Sequence, residues 1–224
     1  MSTPRKSSKS AAGKNAAASS QLLPERELLR IIETVLRLAK STGAEETEVH
    51  VDETAESLTR FANNAIHQNV AERSLNVSIR TVVDSRTARA TTNRVDEDSL
   101  RAAIEASLSL AHSQPKDPHL LPLPGKQRYR KVNRFVKDTA ALTPEDRARA
   151  VRRACDLAIQ NGQVAAGIFA SGLQQSALGN SRGLFAAYRE THAEFSITMQ
   201  ESAAASWAKA NAASVRAFDP QKLA

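Results

Sequence analysis

Leu75-Asn76-Val77-Ser78-Ile79-Arg80-Thr81-Val82-Val83, followed by Asp84-Ser85-Arg86-Thr87-Ala88-Arg89-Ala90-Thr91-Thr92, is the stretch that decides the fold. Leu75, Val77, Ile79, Thr81 and Val83 fall on every second position, the spacing of a strand that turns one face to a core. Asp84-Ser85 predicts a tight reversal, after which Ala88, Ala90 and Thr92 return as an antiparallel neighbour. Upstream, Val49 and Val51 alternate with polar residues, and Leu58 to Phe61 leads into Asn63-Asn64, a second turn signal. The same region is flanked by helices. Pro24 opens one whose apolar face is Leu28, Ile31, Ile32, Val35, Leu38 and Ala39, with Gly43 as its stop. Another starts near Asp96 and turns Leu100, Ala103, Ile104, Leu108 and Ala111 inward.

Beyond residue 112 the composition changes. Pro115, Pro118, Pro122 and Pro124, half of the chain's eight prolines, fall within ten residues, so 113–142 reads as an extended, basic, Pro-rich linker. Thr143-Pro144-Glu145-Asp146 begins a third helix, with Thr as its cap and an acid at the third position. Its inner face is predicted as Ala148, Val151, Cys155, Ala158 and Ile159, and Gly162 ends it. Strands are expected at 164–171, 173–178, 184–188, 195–199 and 206–210, with Gly179 to Gly183 as a loop. Asp219-Pro220 again has the form of a helix opening, and only four residues follow it. The expected organisation is a disordered basic tail over 1–22, a helix-plus-meander domain over 23–112, the linker, and a second helix-plus-sheet unit over 143–224. The class is α+β, and the second unit reads as incomplete at its C-terminal end.

Composition bounds the function. The 224 residues are 41% hydrophobic and 25% charged, enough for a core, but only 4% aromatic, so the packing must be mainly aliphatic. Of the net charge of +7, four positives (Arg5, Lys6, Lys9 and Lys14) lie in an acid-free stretch of twenty residues, which leaves +3 for the rest. A general nucleic-acid affinity is therefore not implied. Cys155 is alone, so no intramolecular disulfide forms. No stretch has the roughly 18 apolar residues of a membrane span, and the N-terminus lacks a secretion signal's apolar core. These features predict a cytoplasmic protein.

With those elements placed, two blocks become recognisable. Phe61-Ala62-Asn63-Asn64-Ala65-Ile66-His67-Gln68-Asn69, together with Arg80, Arg86 and Thr91-Thr92-Asn93, resembles the N-terminal domain of the TldD/PmbA family. The second block is Asn180-Ser181-Arg182-Gly183, Thr191, Ser206-Trp207-Ala208 and Asp219-Pro220, in the family's order. The resemblance covers roughly residues 25–224. It departs from the family at Ser85, where Gly is common, and at Ser206-Trp207, which lacks an intervening Gly. The His-Glu-x-x-x-His helix of TldD-type members is absent from the chain, so zinc is expected only in a full-length TldD-type subunit. PmbA-type members lack that motif throughout.

The family, once described as modulators of DNA gyrase, is metalloprotease-related. The resemblance implies a dimeric, cytoplasmic system in which a TldD-like subunit pairs with a PmbA-like one and trims unfolded peptides, including microcin precursors and an antitoxin. It further implies that this N-terminal portion shapes a sheltered chamber and offers an open sheet edge to an extended peptide. The expected role is scaffold, subunit pairing or peptide holding, without a catalytic centre or metal site of its own. A truncated, degenerate member serving only as an interaction module is the alternative.

Individual residues carry little chemistry beyond that. His50, His67, His112, His119 and His192 lack the helical spacing of a hydrolytic zinc site. Cys155 lies on an apolar stripe, and Ser181 sits between glycines as a turn residue rather than in a nucleophile elbow. Lys126, Arg128, Tyr129, Arg130, Lys131, Arg134 and Phe135 form the one candidate for phosphate and base contacts, and read first as a solvated connection. His67, Gln68 and Asn69 are the candidate peptide- or partner-binding residues, because the resemblance runs through them.

Overall fold

The computed structural model describes residues 22–224; the basic tail expected over 1–22 lies, but for Leu22, outside them. One antiparallel sheet of six strands runs in the order β3-β2-β1-β4-β5-β6. Its strands are β1 (Glu46–Ala62), β2 (Ala65–Val83), β3 (Arg86–Thr92), β4 (Val164–Asn180), β5 (Phe185–Glu201) and β6 (Ala204–Ala212). The helices are α1 (Glu25–Ala39), α2 (Glu97–His112), a single turn α3 (Lys137–Ala140), α4 (Pro144–Gln160) and the short α5 (Pro220–Leu223). This is the expected α+β class. The halves predicted from the sequence share the sheet, because β1 pairs with β4 from Glu48 opposite Asn180 to Phe61 opposite Gly167.

Strict alternation explains the layering. In β1 the odd positions Thr47, Val49, Val51, Glu53, Ala55, Thr59 and Phe61 are buried while their neighbours are not. The register carries that face into Gly179, Ala177, Gln175 and Phe169 of β4 and on into Phe195 and Ile197 of β5. α1 and α2 cover one end, with Leu28, Ile32, Val35, Leu100 and Ile104 against Val49, Val51, Val77, Ile79 and Ala177. α4 covers the other, with Val151, Ala154, Cys155 and Ala158 against Phe61, Phe169, Phe195 and Ile197. Phe195 is the hub there, stacked on Phe61 at 6.0 Å and edge-on to Phe169 at 5.8 Å between ring centroids. Among the described residues the opposite face of the sheet carries no helix.

Several local readings hold at the level of single atoms. Asp96 caps α2 by accepting from the Ser99 amide at 3.0 Å. Thr143 and Asp146 form the reciprocal capping box of α4. Asn63-Asn64 and Asp84-Ser85 all take positive φ, as a two-residue hairpin turn of the right twist requires. Three expectations need correction. The pieces 164–171 and 173–178 are one strand, and so are 184–188 and 195–199; polar residues read as strand ends are buried mid-strand and partnered there. His192 consequently lies inside β5 rather than between strands. The inner face of α4 is rotated, so that Arg147 and Ala150 point inward and Ile159 is 58% exposed. Arg147 turns in because polar acceptors await it on the sheet.

Candidate functional site

β1 and β2 are 17 and 19 residues long, roughly 56 and 63 Å at about 3.3 Å per residue. β3 has only seven residues and pairs with β2 from Val77 to Val83. Among the described residues nothing pairs with the outer edge of β2 over 65–76. Residues 67–74 are exposed without interruption, which within a strand marks an edge bare of backbone partners. The outer edge of β5 is treated differently. Where β6 does not reach, the connection from α2 lies against it: Thr191 N–H donates to the Arg134 carbonyl at 3.2 Å, and Val136 N–H donates to Thr191 Oγ1 at 3.1 Å.

The hairpin fixes one end of the bare edge. Asn64 clips it to the start of β4, accepting from the Ala165 amide at 2.6 Å and donating to the Gln163 carbonyl at 2.9 Å. Directly afterwards the ladder skips a residue: Arg60 faces Gln68 but Phe61 faces Ile66, so His67 is the extra residue of a β-bulge. His67, Gln68 and Asn69 are consecutive and all exposed, yet they do not converge. Gln68 shares the helix-free face with Arg60, while Asn69 shares the covered face with Thr59. Asn69 Oδ1 accepts from Thr59 Oγ1 at 3.1 Å and from Arg147 Nη2 at 3.4 Å. A cleft of about 360 Å³ opens beside the bulge, lined by Asn64, Ala65, Ile66, Arg152, Cys155 and Asp156.

Between the two groups of helices the covered face is polar, and sequence reasoning missed it. Glu53 is fully buried, ion-paired to Arg73, and accepts from Gln175 Nε2 at 2.5 Å and from the Leu23 amide at 2.8 Å. Further along the same face, Arg147 donates to Thr59 and Ser171. The available signal was a charged residue at a core position of an amphipathic helix.

The helix-free face holds two imidazole arrays. His50 Nε2 lies 2.6 Å from Ser176 Oγ, and its Nδ1 lies 3.0 Å from Asp52 Oδ2. This hydroxyl–imidazole–carboxylate order is that of a nucleophile with its base. Both strands are interior to the sheet, however, so their amides are spent on ladder bonds and none is left to hold an oxyanion. The array ties β1 to β4. The second spans three strands: Glu56 meets His192 Nε2 at 3.0 Å over Gly172, which has no side chain to separate them. The Glu56 hydrogen bond is the chief reason the imidazolium persists above its ordinary range, with further help from Glu190 and Glu194.

The remaining candidates are accounted for by packing. Cys155 is buried and its thiol is pushed up by that burial, the reverse of an activated nucleophile. Ser181 Oγ accepts from the Thr47 amide at 3.0 Å, closing the β4–β5 turn onto β1. In the basic connection Arg134 pairs with Glu190 at 2.9 Å and Phe135 lies under Arg189, while Lys126, Arg128, Arg130 and Lys131 are exposed. His112 ends α2 and His119 lies in the connection. Among the described residues no three His, Cys, Asp or Glu side chains converge as a metal site, and no helix is long and apolar enough to cross a membrane.

Known proteins share this architecture. TldE from Thermococcus kodakarensis superposes with a TM-score of 0.76 at 16% identity, over 86% of this chain and 45% of that one. A protein from Thermotoga maritima described as a candidate modulator of a DNA gyrase gives 0.70 at 16% identity, over 88% and 46%. Its counterpart from Bacteroides thetaiotaomicron gives 0.69 at 16% identity, over 85% and 45%. The chain thus spans a little under half the length of these proteins, and at that identity the likeness is one of fold. No curated protein matches it in sequence. Residues 48–111, from the first pair of the β1–β4 ladder to the penultimate residue of α2, match the family described as PmbA/TldA metallopeptidase domain 1. The match spans 64 of the chain's 224 residues, so what it shows is a first domain similar to that of the PmbA/TldA metallopeptidases.

Proposed function

We infer that the chain serves as the N-terminal, non-catalytic portion of a TldD/PmbA-type proteolytic system in the cytoplasm, and that it holds unfolded peptide substrate against the bare edge of β2. The observation that carries this reading is the uninterrupted exposure of 67–74 along an unpaired strand edge. An extended peptide added there gains backbone hydrogen bonds irrespective of its sequence, which suits a substrate defined by being unfolded. His67 and Gln68 flank the entry at the bulge, and Asn69 marks where the covered face meets the edge. Its partner is a TldD- or PmbA-like subunit, and zinc belongs to a TldD-type subunit rather than to these residues.

Hydrogen exchange on the full chain, with and without an unstructured peptide, tests the reading. Alternate amides within 67–74 should slow on addition of peptide, and the affinity should change little between low and high salt. Protection confined to other strands, or none, sinks it. Binding to single-stranded nucleic acid that collapses with salt and disappears when Arg128, Arg130 and Lys131 become Ala would instead favour the basic connection. The pairing is tested separately, by co-purification with a TldD-like subunit and peptidase activity that appears only in the mixture.

A further inference from the structure

Arg147 is the bulkiest of the fully buried side chains, 1% exposed. Its guanidinium donates to Thr59 Oγ1 at 3.2 Å, Ser171 Oγ at 3.2 Å and Asn69 Oδ1 at 3.4 Å. All three acceptors are neutral, and all three bonds are longer than charge-assisted bonds, which are ordinarily about 2.7–2.9 Å. No acid among the described residues neutralises it. Asp146 is engaged with Thr143 and Arg149, and Glu53, on the same face, is taken by Arg73 and Gln175. Burial makes its charged form harder to keep, which the acids on its own helix only partly offset. A buried cation without a counter-ion is costly, and folded proteins pair such charges.

The position of the guanidinium says where a counter-ion would come from. Thr59 and Ser171 are buried, whereas Asn69 is exposed and sits on the bare run of β2. Asn69 Oδ1 already receives two donors, the Thr59 hydroxyl and Arg147 Nη2, as a carboxylate oxygen would. Rotating this one side chain into solvent opens both donors to the edge. We propose that Arg147, with the Thr59 hydroxyl, is a seat for a carboxylate carried by the peptide docked on β2, and that the Asn69 amide holds the place until it arrives. The inference rests on peptide docking at that edge, and adds a preference for acidic segments.

Fluorescence polarisation with the full chain and one labelled peptide in four forms decides it: central Glu or Gln, each with a free or an amidated C-terminus. At least a tenfold advantage for a carboxylate form is expected, and the arm that shows it identifies side chain or chain end as the source. Arg147→Gln should erase that advantage while leaving binding of the Gln amide peptide. Equal affinity of all four forms for the unaltered chain overturns the seat but not the edge. Asn69→Asp supplies the counter-ion within the chain, so it should raise Tm by about 3 °C or more and abolish the preference. A neutral or lowered Tm with the preference intact overturns the proposal. If no peptide binds at all, the edge reading fails, and acetate against chloride at matched ionic strength becomes the readout. Acetate should then stabilise the unaltered chain and not Arg147→Gln; equal shifts in both overturn the seat.

Discussion

At position 172 the missing side chain is what permits an ion pair across three strands. A Cβ there would collide with the Glu56 carboxylate and the His192 ring, both of which are free to swing aside. Gly172→Ala should therefore break the pair while sparing the fold. The sign of the linkage is fixed by the direction of the shift. His192 is held protonated to higher pH in the folded protein than its ordinary value of 6.5, chiefly by Glu56. The stability it contributes is complete below that ordinary value and is lost as pH rises through the folded one. Across that window the unaltered protein should lose a little stability that Glu56→Gln does not. NMR titration of the His192 ring checks the cause: its midpoint should fall in both Glu56→Gln and Gly172→Ala. An unchanged midpoint in both would remove Glu56 as the source.

At the scale of elements, α4 is the helix whose start is best defended. Thr143 and Asp146 satisfy one another's backbone amides, and Pro144 presets the first turn. Thr143→Ala should cost about 1 kcal/mol in urea unfolding. Phe195→Ala, which empties the hub beneath α4, should cost about 3–5 kcal/mol by the same measurement. If the cap cost more than the hub, the account of what seats α4 would be wrong. The elements also show what sequence reveals. Caps, hairpin turns and the apolar faces of α1 and α2 are local patterns, and each was legible. Strand length was not, because it depends on partners far away. Glu53 is tolerable in the middle of a buried face through Arg73, Gln175 and the Leu23 amide, and Gln175 lies 122 residues on. Arg147 is hidden for the same reason: its acceptors belong to three different strands. His67 was legible as a turn neighbour, but its place in a bulge follows from register, which only the paired strands define.

For the whole molecule the β1–β4 ladder matters most, since it makes one sheet of two halves that follow one another in sequence. Residues 23–112 expressed alone should keep α1, α2 and the β1–β3 meander, but they would expose the inner edge of β1 and leave Phe61 without Phe195. Size-exclusion chromatography should show that fragment self-associating, where the full chain elutes according to its mass. A well-behaved monomeric fragment would mean that β1 does not need β4.

The same ladder sets a timetable for synthesis. β1 leaves the ribosome about a hundred residues before β4 begins, a gap of roughly 5–20 s at ordinary elongation rates. Through that interval the strand destined for the centre of the sheet is an edge, and its vacancy lies beside residues that will later be core. Contacts so distant along the chain also fold slowly once it is complete. The nascent first half must therefore be kept from pairing with strangers, and a factor that shields exposed strand edges should matter more to this chain's yield than to its final stability.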